Sequence, residues 1–310
     1  MRHVLAADIG GTQMRAAVVR EDSAILARVS APTLPAEGFE AATERLSLLL
    51  QQAAARALAP DLLAVGISTA GPVDPTDGTY RHPPNLNGWD GRSMVTALTE
   101  ALGMPVRVGH DATLAALAET RWGAHNGAKH LLYVTVSTGI GAGIIVDGRP
   151  VLGSSGGAGE VGHMIVAPNG RWCGAGCPGC LEGNASGRAI ALAAHDAITS
   201  GARTALTADA DAAAVFSAAN AGDSVANAIV DDAMGHLGAG IAGLLAIFDP
   251  EVIILGGGVT DGLTPRWDAL IEAIRARALP RYASNVPVER TTLGDEVGLL
   301  GAALWALGEE

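Results

Sequence analysis

The sequence predicts an α/β protein of two lobes with a cleft between them, and three observations lead there. An apolar strand, a pair of glycines and a second strand open the chain (Val4–Ala7, Gly10-Gly11, Met14–Val19). The same strand–glycine–strand pattern restarts at Leu131–Val136 and Gly143–Val146, as an internal repeat would. The 310 residues suffice for two cores, and 49% hydrophobic against 4% aromatic content means cores built mainly of Ala, Val, Leu and Ile.

Taken in order, the first part reads β-β-β-α-β-α-β. Strands are predicted at His3–Ala7, Gln13–Arg20 and Ala24–Val29, then a helix over Phe39–Leu58 with Leu46, Leu49 and Leu50 on one face. A strand at Leu62–Ser68 leads into a Pro/Gly/Asp-rich loop, Gly71 to Gly91. A helix over Arg92–Leu102, a strand at Pro105–Val108 and a helix from Asp111 to Trp122 follow. After the repeat, the chain beyond Gly183 is mostly helical. One more buried strand, Val252–Leu255, ends in Gly256-Gly257-Gly258, and Val297–Leu307 is the closing helix. The lobe boundaries expected are 1–112 plus 298–310 for the small lobe and 113–297 for the large one.

Composition excludes several function classes. A net charge of −12 argues against a nucleic-acid partner, because no basic face is there to neutralise phosphates. No apolar run approaches the roughly 20 residues of a membrane span, and the N-terminus lacks signal-peptide architecture, so a cytoplasmic location is expected. The three cysteines all lie between 173 and 180, which points to a reducing compartment and a metal rather than a disulfide framework. A Walker A loop needs Gly-Lys-Ser/Thr, and the only lysine is Lys129, in Gly127-Ala128-Lys129-His130. The literal G-x-G-x-x-G at Gly174–Gly179 has no strand before it and falls inside the cysteine cluster, so it is a decoy.

Two glycine turns have phosphate chemistry. In Asp8-Ile9-Gly10-Gly11-Thr12 the glycines let backbone N–H groups approach phosphate oxygens, and Asp8 is placed to hold a hydrated Mg²⁺ beside them. Thr138-Gly139-Ile140-Gly141-Ala142-Gly143 offers a hydroxyl and glycines in the matching position. Each has a plain alternative, a tight hairpin. Gly256-Gly257-Gly258 either lets a base or ribose lie against backbone or serves close packing. Asp111, where a strand gives way to a helix, is either a general base for a bound hydroxyl or an acid favoured by the helix dipole. His163, Cys173, Cys177 and Cys180 fall within eighteen residues and suit a structural Cys₃His zinc site, against the alternative of three reduced thiols near an unrelated histidine.

Together these segments resemble the ROK (repressor, ORF, kinase) family of bacterial sugar kinases and sugar-responsive regulators over nearly the whole chain. Asp8–Thr12 and Ser137–Gly143 are similar to its two phosphate motifs, and Gly71-Pro72-Val73 with Pro84–Trp89 to its sugar-side loop. Gly159–His163, joined to Gly179–Glu182 and Ala185-Ser186-Gly187, resembles its signature, and Leu255–Gly258 its adenosine motif. The resemblance implies an actin-like ATPase (ribonuclease H-like) fold and ATP- and Mg²⁺-dependent phosphorylation of a hexose hydroxyl, with glucose to glucose 6-phosphate as the default. A kinase for another hexose, N-acetylmannosamine or N-acetylglucosamine, or a non-catalytic sugar sensor, is the alternative.

On that resemblance Asp111 is the base, and Asp8, Gly10, Gly11, Thr12, Thr138, Gly139, Gly256, Gly257 and Gly258 bind the nucleotide and its metal. Asn85, His110, Asp111, Glu160, His163 and Glu182 bind sugar, zinc braces the loop, and a homodimer or homotetramer is expected. A helix-turn-helix regulator is not expected, since the first strand begins at His3. Two departures stand out. The family's second zinc-loop cysteine is Ala175 here, with a cysteine at 177 instead. Its usual Glu-Asn-Asp is Gly109-His110-Asp111, and Thr113 replaces a frequent asparagine.

Overall fold

A computed structural model describes residues 1–58, 61–83 and 86–309. The strands are β1 (His3–Ile9), β2 (Gln13–Arg20), β3 (Ile25–Pro32), β4 (Leu62–Thr69), β5 (Val106–His110), β6 (Leu131–Val136), β7 (Ile140–Val146), β8 (Arg149–Pro150), β9 (Val252–Gly256) and β10 (Val288–Arg290). The helices are α1 (Gly38–Ala57), α2 (Met94–Leu102), α3 (Asp111–Trp122), α4 (Leu181–Ala185), α5 (Gly187–Thr199), α6 (Ala212–Asn220), α7 (Ser224–Phe248), α8 (Gly258–Gly262), α9 (Trp267–Arg275), α10 (Pro280–Ala283) and α11 (Val297–Leu307).

The first sheet has the order β3-β2-β1-β4-β5 and the second β10-β9-β6-β7-β8. Read from β8, the second order repeats the first strand for strand, so the internal repeat seen in the sequence is a repeat of topology. In the first sheet β1 pairs antiparallel with β2 and parallel with β4, which is parallel to β5. In the second, β6 is parallel to β9 and β9 to β10.

By packing, the chain divides into two compact units. The first is Met1–Lys129 with Gly143–Gly159 and Thr292–Glu310, and the second is His130–Ala142 with Glu160–Thr291. The boundary expected at 112/113 falls inside the first unit, because α3 packs against α11.

The first unit is organised by α11, whose Leu299, Leu300, Leu304 and Trp305 are buried. Each such side chain contributes about 1.5–3 kcal/mol. The helix comes close to its neighbours because small residues let it. A Cβ added at Gly66 of β4 would sink into the Ala302 carbonyl, and one at Gly301 into the Leu114 carbonyl of α3. On the sheet's α1 and α2 side, Phe39, Tyr80 and Trp89 pack edge to face with centroids 5.1–6.4 Å apart. The Tyr80 hydroxyl meets Thr69 Oγ1 at 2.9 Å, and this ties the irregular 71–91 segment to β4. Burial pushes the Tyr80 phenol well above its ordinary pKa, so it stays neutral. Ser93 caps α2 by accepting from Thr96 N–H at 3.1 Å.

The second unit is built around α7, which packs against α4, α5, α6 and α9. Among the described residues α7 alone is long and apolar enough to cross a membrane by length and composition, a run the sequence reading did not credit. Its core-facing Leu237, Ile241, Leu244 and Leu245 are buried in this unit. Gly240 and Gly238 admit Leu181 of α4 and Ala273 of α9.

Gly301→Leu should destabilise the protein by roughly 3 kcal/mol or more in urea unfolding, since the side chain must displace α3 backbone. Gly243→Ala, on α7 where a Cβ meets nothing within 4 Å, should be neutral or stabilising by about 0.5–1 kcal/mol. Equal stability of the two variants would contradict the packing described.

Candidate active site and metal centre

Strand register builds the first cluster. Asp8 pairs with Arg15 on β2 and with Ser68 on β4, and Ser68 pairs with Gly109 on β5. Asp8 therefore lies within β1, not at its end as the sequence suggested, because the ladder runs on to Ile9. Arg15 Nη2 donates to Asp8 Oδ2 at 2.9 Å and Ser68 Oγ to Oδ1 at 3.0 Å. Burial pushes the Asp8 carboxyl above the usual carboxylate range. Arg15 and the Ser68 hydrogen bond pull it down, while the nearby charge of Asp111 pushes it up. The buried acid is retained at an energetic cost.

The adjoining turn is braced by Gly10 N–H to Gln13 O (3.0 Å), Thr33 N–H to Thr12 O (2.9 Å) and Thr33 Oγ1 to Gly10 O (2.6 Å). A Cβ at Gly11 would meet nothing within 4 Å, and its φ is not left-handed. Protein packing thus does not demand glycine at Gly11, and the turn stays free to be approached by phosphate oxygens.

One position past the Asp8–Ser68–Gly109 row, β5 ends at His110 and α3 begins at Asp111. Asp111 Oδ1 accepts the Ala112 N–H at 2.6 Å. His110 Nε2 lies 3.5 Å from the same oxygen. No described residue bonds Oδ2, and the side chain is 41% exposed, so one oxygen stays open to a hydroxyl. Gly109 has Leu114 where a longer side chain would start, which explains glycine at that departure from the family pattern.

The second unit carries the other turn. Ser137 N–H bonds Gly139 O at 2.9 Å, and Gly187 N–H bonds Ser137 O at 2.7 Å. This places the start of α5 beside Thr138. Glu182 Oε2 accepts the Ile140 N–H at 3.0 Å, and a Cβ at Gly139 would lie 2.6 Å from that oxygen. Gly139 is therefore glycine so that Glu182 can reach the turn. Gly257, in the left-handed region at φ 95°, rests on Val136 O and Ser137, so the adenosine-like motif abuts the phosphate-like turn. A Cβ at Gly256 would strike the Tyr133 hydroxyl, whereas Gly258 faces open space.

His163, Cys173, Cys177 and Cys180 converge with all four ligand atoms within 4.8 Å of one another. His163 Nδ1 to Cys177 Sγ and Cys173 Sγ to Cys177 Sγ are both 3.2 Å, and His163 Nδ1 to Cys173 Sγ is 3.7 Å. Tetrahedral zinc with 2.3 Å Zn–S bonds has ligand–ligand edges of about 3.5–3.8 Å, so the donor set fits the ion. The thiols are far beyond disulfide length. A turn at 173–177, closed by Cys173 N–H to Cys177 O (3.0 Å) with Gly176 at φ 87°, swings Cys177 into place. The shifted cysteine thus supplies the donor atom that Ala175 lacks. Burial opposes ionisation of Cys173, but hydrogen bonds from the Cys177 and Ala175 backbone and the Cys177 thiol override it and bring the pKa to about 7. His163 turns Nε2 away from the cysteines, 3.7 Å from Glu160 Oε2. A metal-ligating imidazole with a carboxylate on its other nitrogen is held in one tautomer.

The structure thus brings Asp8, Gly10, Gly11, Thr12, His110 and Asp111 into the first unit and Thr138, Gly139, Glu160, His163, Glu182 and Gly256–Gly258 into the second. Asn85 lies outside the described residues. Sequence reasoning missed Arg15, Ser68 and Thr33. Arg15 was within reach of it, since folding the strand back at Gly10-Gly11 places residue 15 opposite residue 8.

The sequence profile of the ROK family matches residues 4–309. The chain belongs to the ROK family. A glucokinase of Halalkalibacterium halodurans is 33% identical over 318 residues, covering 100% of this chain and 96% of that protein. An N-acetylmannosamine kinase of Escherichia fergusonii is 33% identical over 306 residues, covering 99% of each. Among solved structures, a ROK glucokinase from Streptomyces griseus, in complex with glucose and AMPPNP, superposes with a TM-score of 0.82 at 32% identity, covering 99% of each chain. This ROK protein accordingly has the actin-like ATPase fold.

Two outcomes are expected. Cys177→Ser should lower zinc content, measured by elemental analysis, from one ion per chain, and should lower Tm, because ligand loss leaves 163–180 unbraced. A variant with full zinc and unchanged Tm would rule out Cys177 as a ligand. For Asp8 the sign follows from its raised pKa. Ionising it opposes folding, a cost absent below the ordinary carboxylate range and fully present above the raised value. Asp8→Asn should therefore flatten the fall of Tm as pH rises from the ordinary carboxylate range through the raised value, while lowering turnover, and an unchanged pH dependence of Tm would contradict the cost assigned to burial.

Proposed function

We propose that this ROK protein is an ATP-dependent hexose kinase that transfers the γ-phosphoryl group to a sugar hydroxyl, with glucose as the leading substrate. The observation that carries the reading is Asp111 at the β5–α3 junction, with one carboxylate oxygen held by backbone and the other open. In the reaction Asp111 takes the proton of the sugar hydroxyl as that oxygen bonds to the γ-phosphorus and the bond to ADP breaks. Little covalent work is left to the protein, so orientation and charge stabilisation carry most of the rate. The backbone N–H groups of Gly11, Thr138 and Gly139, with the Thr12 and Thr138 hydroxyls, receive phosphate oxygens, while the Gly10 N–H braces the turn through Gln13 O. Gly256–Gly258 receive the adenosine. Mg²⁺, when bound, supplies neutralising charge to the phosphates, and Asp8 is the residue to orient its hydration shell.

For the sugar, the resemblance assigns Asn85, His110, Glu160, His163 and Glu182 as hydrogen-bonding partners. Glu182 spends one oxygen on Ile140 N–H and keeps the other for a hydroxyl. His163 does double duty if zinc is bound through Nδ1, because Nε2 remains for Glu160 or a ligand. A second reading, an N-acetylated aminosugar such as N-acetylmannosamine or N-acetylglucosamine, is favoured by the equal identity to an N-acetylmannosamine kinase. We place the protein in the cytoplasm, where ATP is available and the three thiols remain reduced, and expect a homodimer or homotetramer.

A coupled assay with ATP and glucose, mannose, N-acetylmannosamine and N-acetylglucosamine tests the reading. At least one sugar should be turned over, and Asp111→Asn should lower kcat about 10²–10⁴-fold with ATP binding retained. Near-normal turnover by Asp111→Asn on every accepted sugar would remove Asp111 as the base.

A further inference from the structure

His110 stands where the family pattern has asparagine, yet its surroundings are not those of a sugar ligand. Its ring is confined on one side by Gly71, where a Cβ would lie 2.6 Å from Cδ2 and 3.3 Å from Nε2. The imidazole also lines a cavity of ≈ 10 Å³ together with Val73, Thr113, Leu114, Leu152 and Trp305. Nδ1 is buried without a hydrogen-bond partner among the described residues. The charged group recorded beside the imidazole is Asp111, with Nε2 at 3.5 Å from Oδ1.

This arrangement selects a tautomer. A proton on Nε2 faces the carboxylate, whereas a proton on Nδ1, which has no hydrogen-bond partner among the described residues, would turn the Nε2 lone pair toward a negative oxygen. Oδ1 therefore has two nitrogen neighbours, Ala112 N–H at 2.6 Å and His110 Nε2 at 3.5 Å, and Oδ2 has none among the described residues.

We infer that His110 is a positioning residue for the base: its Nε2 faces Oδ1 of Asp111 across 3.5 Å, a charge contact beside the Ala112 N–H bond to the same oxygen, and biases the carboxylate so that Oδ2 is the oxygen that meets the substrate hydroxyl. The inference rests on the reading of Asp111 as the base and goes beyond it by assigning the two oxygens different tasks. It also moves His110 from the sugar to the carboxylate. Asparagine carries its amide nitrogen near the position of Nδ1, whereas glutamine can place one near Nε2. The two amides are therefore not equivalent substitutes at this position.

The test compares His110→Ala, His110→Gln and His110→Asn with wild type on the accepted sugars. His110→Ala should lower kcat roughly tenfold, the scale of a misoriented catalytic group, with KM for sugar and ATP within about twofold and the order of sugar preference unchanged. His110→Gln should recover most of the loss and His110→Asn should not. In the Asp111→Asn background, His110→Ala should have no further effect. A rise in sugar KM at constant kcat, or a changed order of preference, would overturn the inference in favour of direct sugar contact.

Long-range ¹⁵N–¹H spectra of the wild-type protein, with His110 assigned by its loss in His110→Asn, give a readout independent of turnover. They should show a protonated Nε2 and an unprotonated Nδ1, and the opposite tautomer would overturn the inference. Active Asp111→Asn would instead mark failure of the base itself, so the two failures are distinguishable.

Discussion

Close backbone contact at small residues is the constraint on which the first unit depends. Gly66 and Gly301 let α11 lie on β4 and α3, and Gly143 lets β7 lie on the Ala112 carbonyl of α3. At the start of α11, Gly298 leaves room for the Asp8 carboxylate, which would be 2.7 Å from a Cβ there. The seam thus sets both the buried acid of β1 and the helix that opens with Asp111. It also gives a structural meaning to a composition rich in alanine and glycine and poor in aromatics. Such an interface trades side-chain volume for proximity, and the proximity fixes functional groups to a few tenths of an ångström.

The same economy recurs in the second unit, where glycines admit a carboxylate side chain and backbone carbonyls. Gly139 yields to Glu182, Gly162 to Ile140 O, and Gly257 to Val136 O. At other glycines of the chain, Gly11 and Gly258 among them, an added Cβ would meet nothing within 4 Å. Glycines demanded by packing and glycines left open are different signals, and only coordinates separate them. The zinc-type cluster adds a second brace, since His163 joins three cysteines through one nitrogen and turns the other to Glu160.

Most elements were legible in the sequence because apolar runs bounded by glycine leave little ambiguity. β2, α3, β6 and α11 have the limits expected, and other elements shift at one end or both by a few residues. β3 runs three residues further than expected because its alternating exposed residues weaken the apolar signal. Asp8 was recognised but misplaced at a strand end, since ladder length is decided by partners distant in sequence. The ligand count of the metal centre was legible despite Ala175, whereas the turn that brings Cys177 in was not. The direction of the His110 ring was invisible, because it depends on Gly71, Leu152 and Trp305, which lie far away in the chain.

The central claim is that this ROK protein moves phosphoryl groups from ATP to a sugar hydroxyl, and ³¹P NMR of wild-type protein with Mg²⁺, ATP and the four sugars tests it most directly. The account predicts ADP and a sugar phosphate monoester growing in together, one for one, with no inorganic phosphate beyond the protein-free control. ATP left unchanged with every sugar, or ADP accompanied by inorganic phosphate and no sugar phosphate, would contradict it.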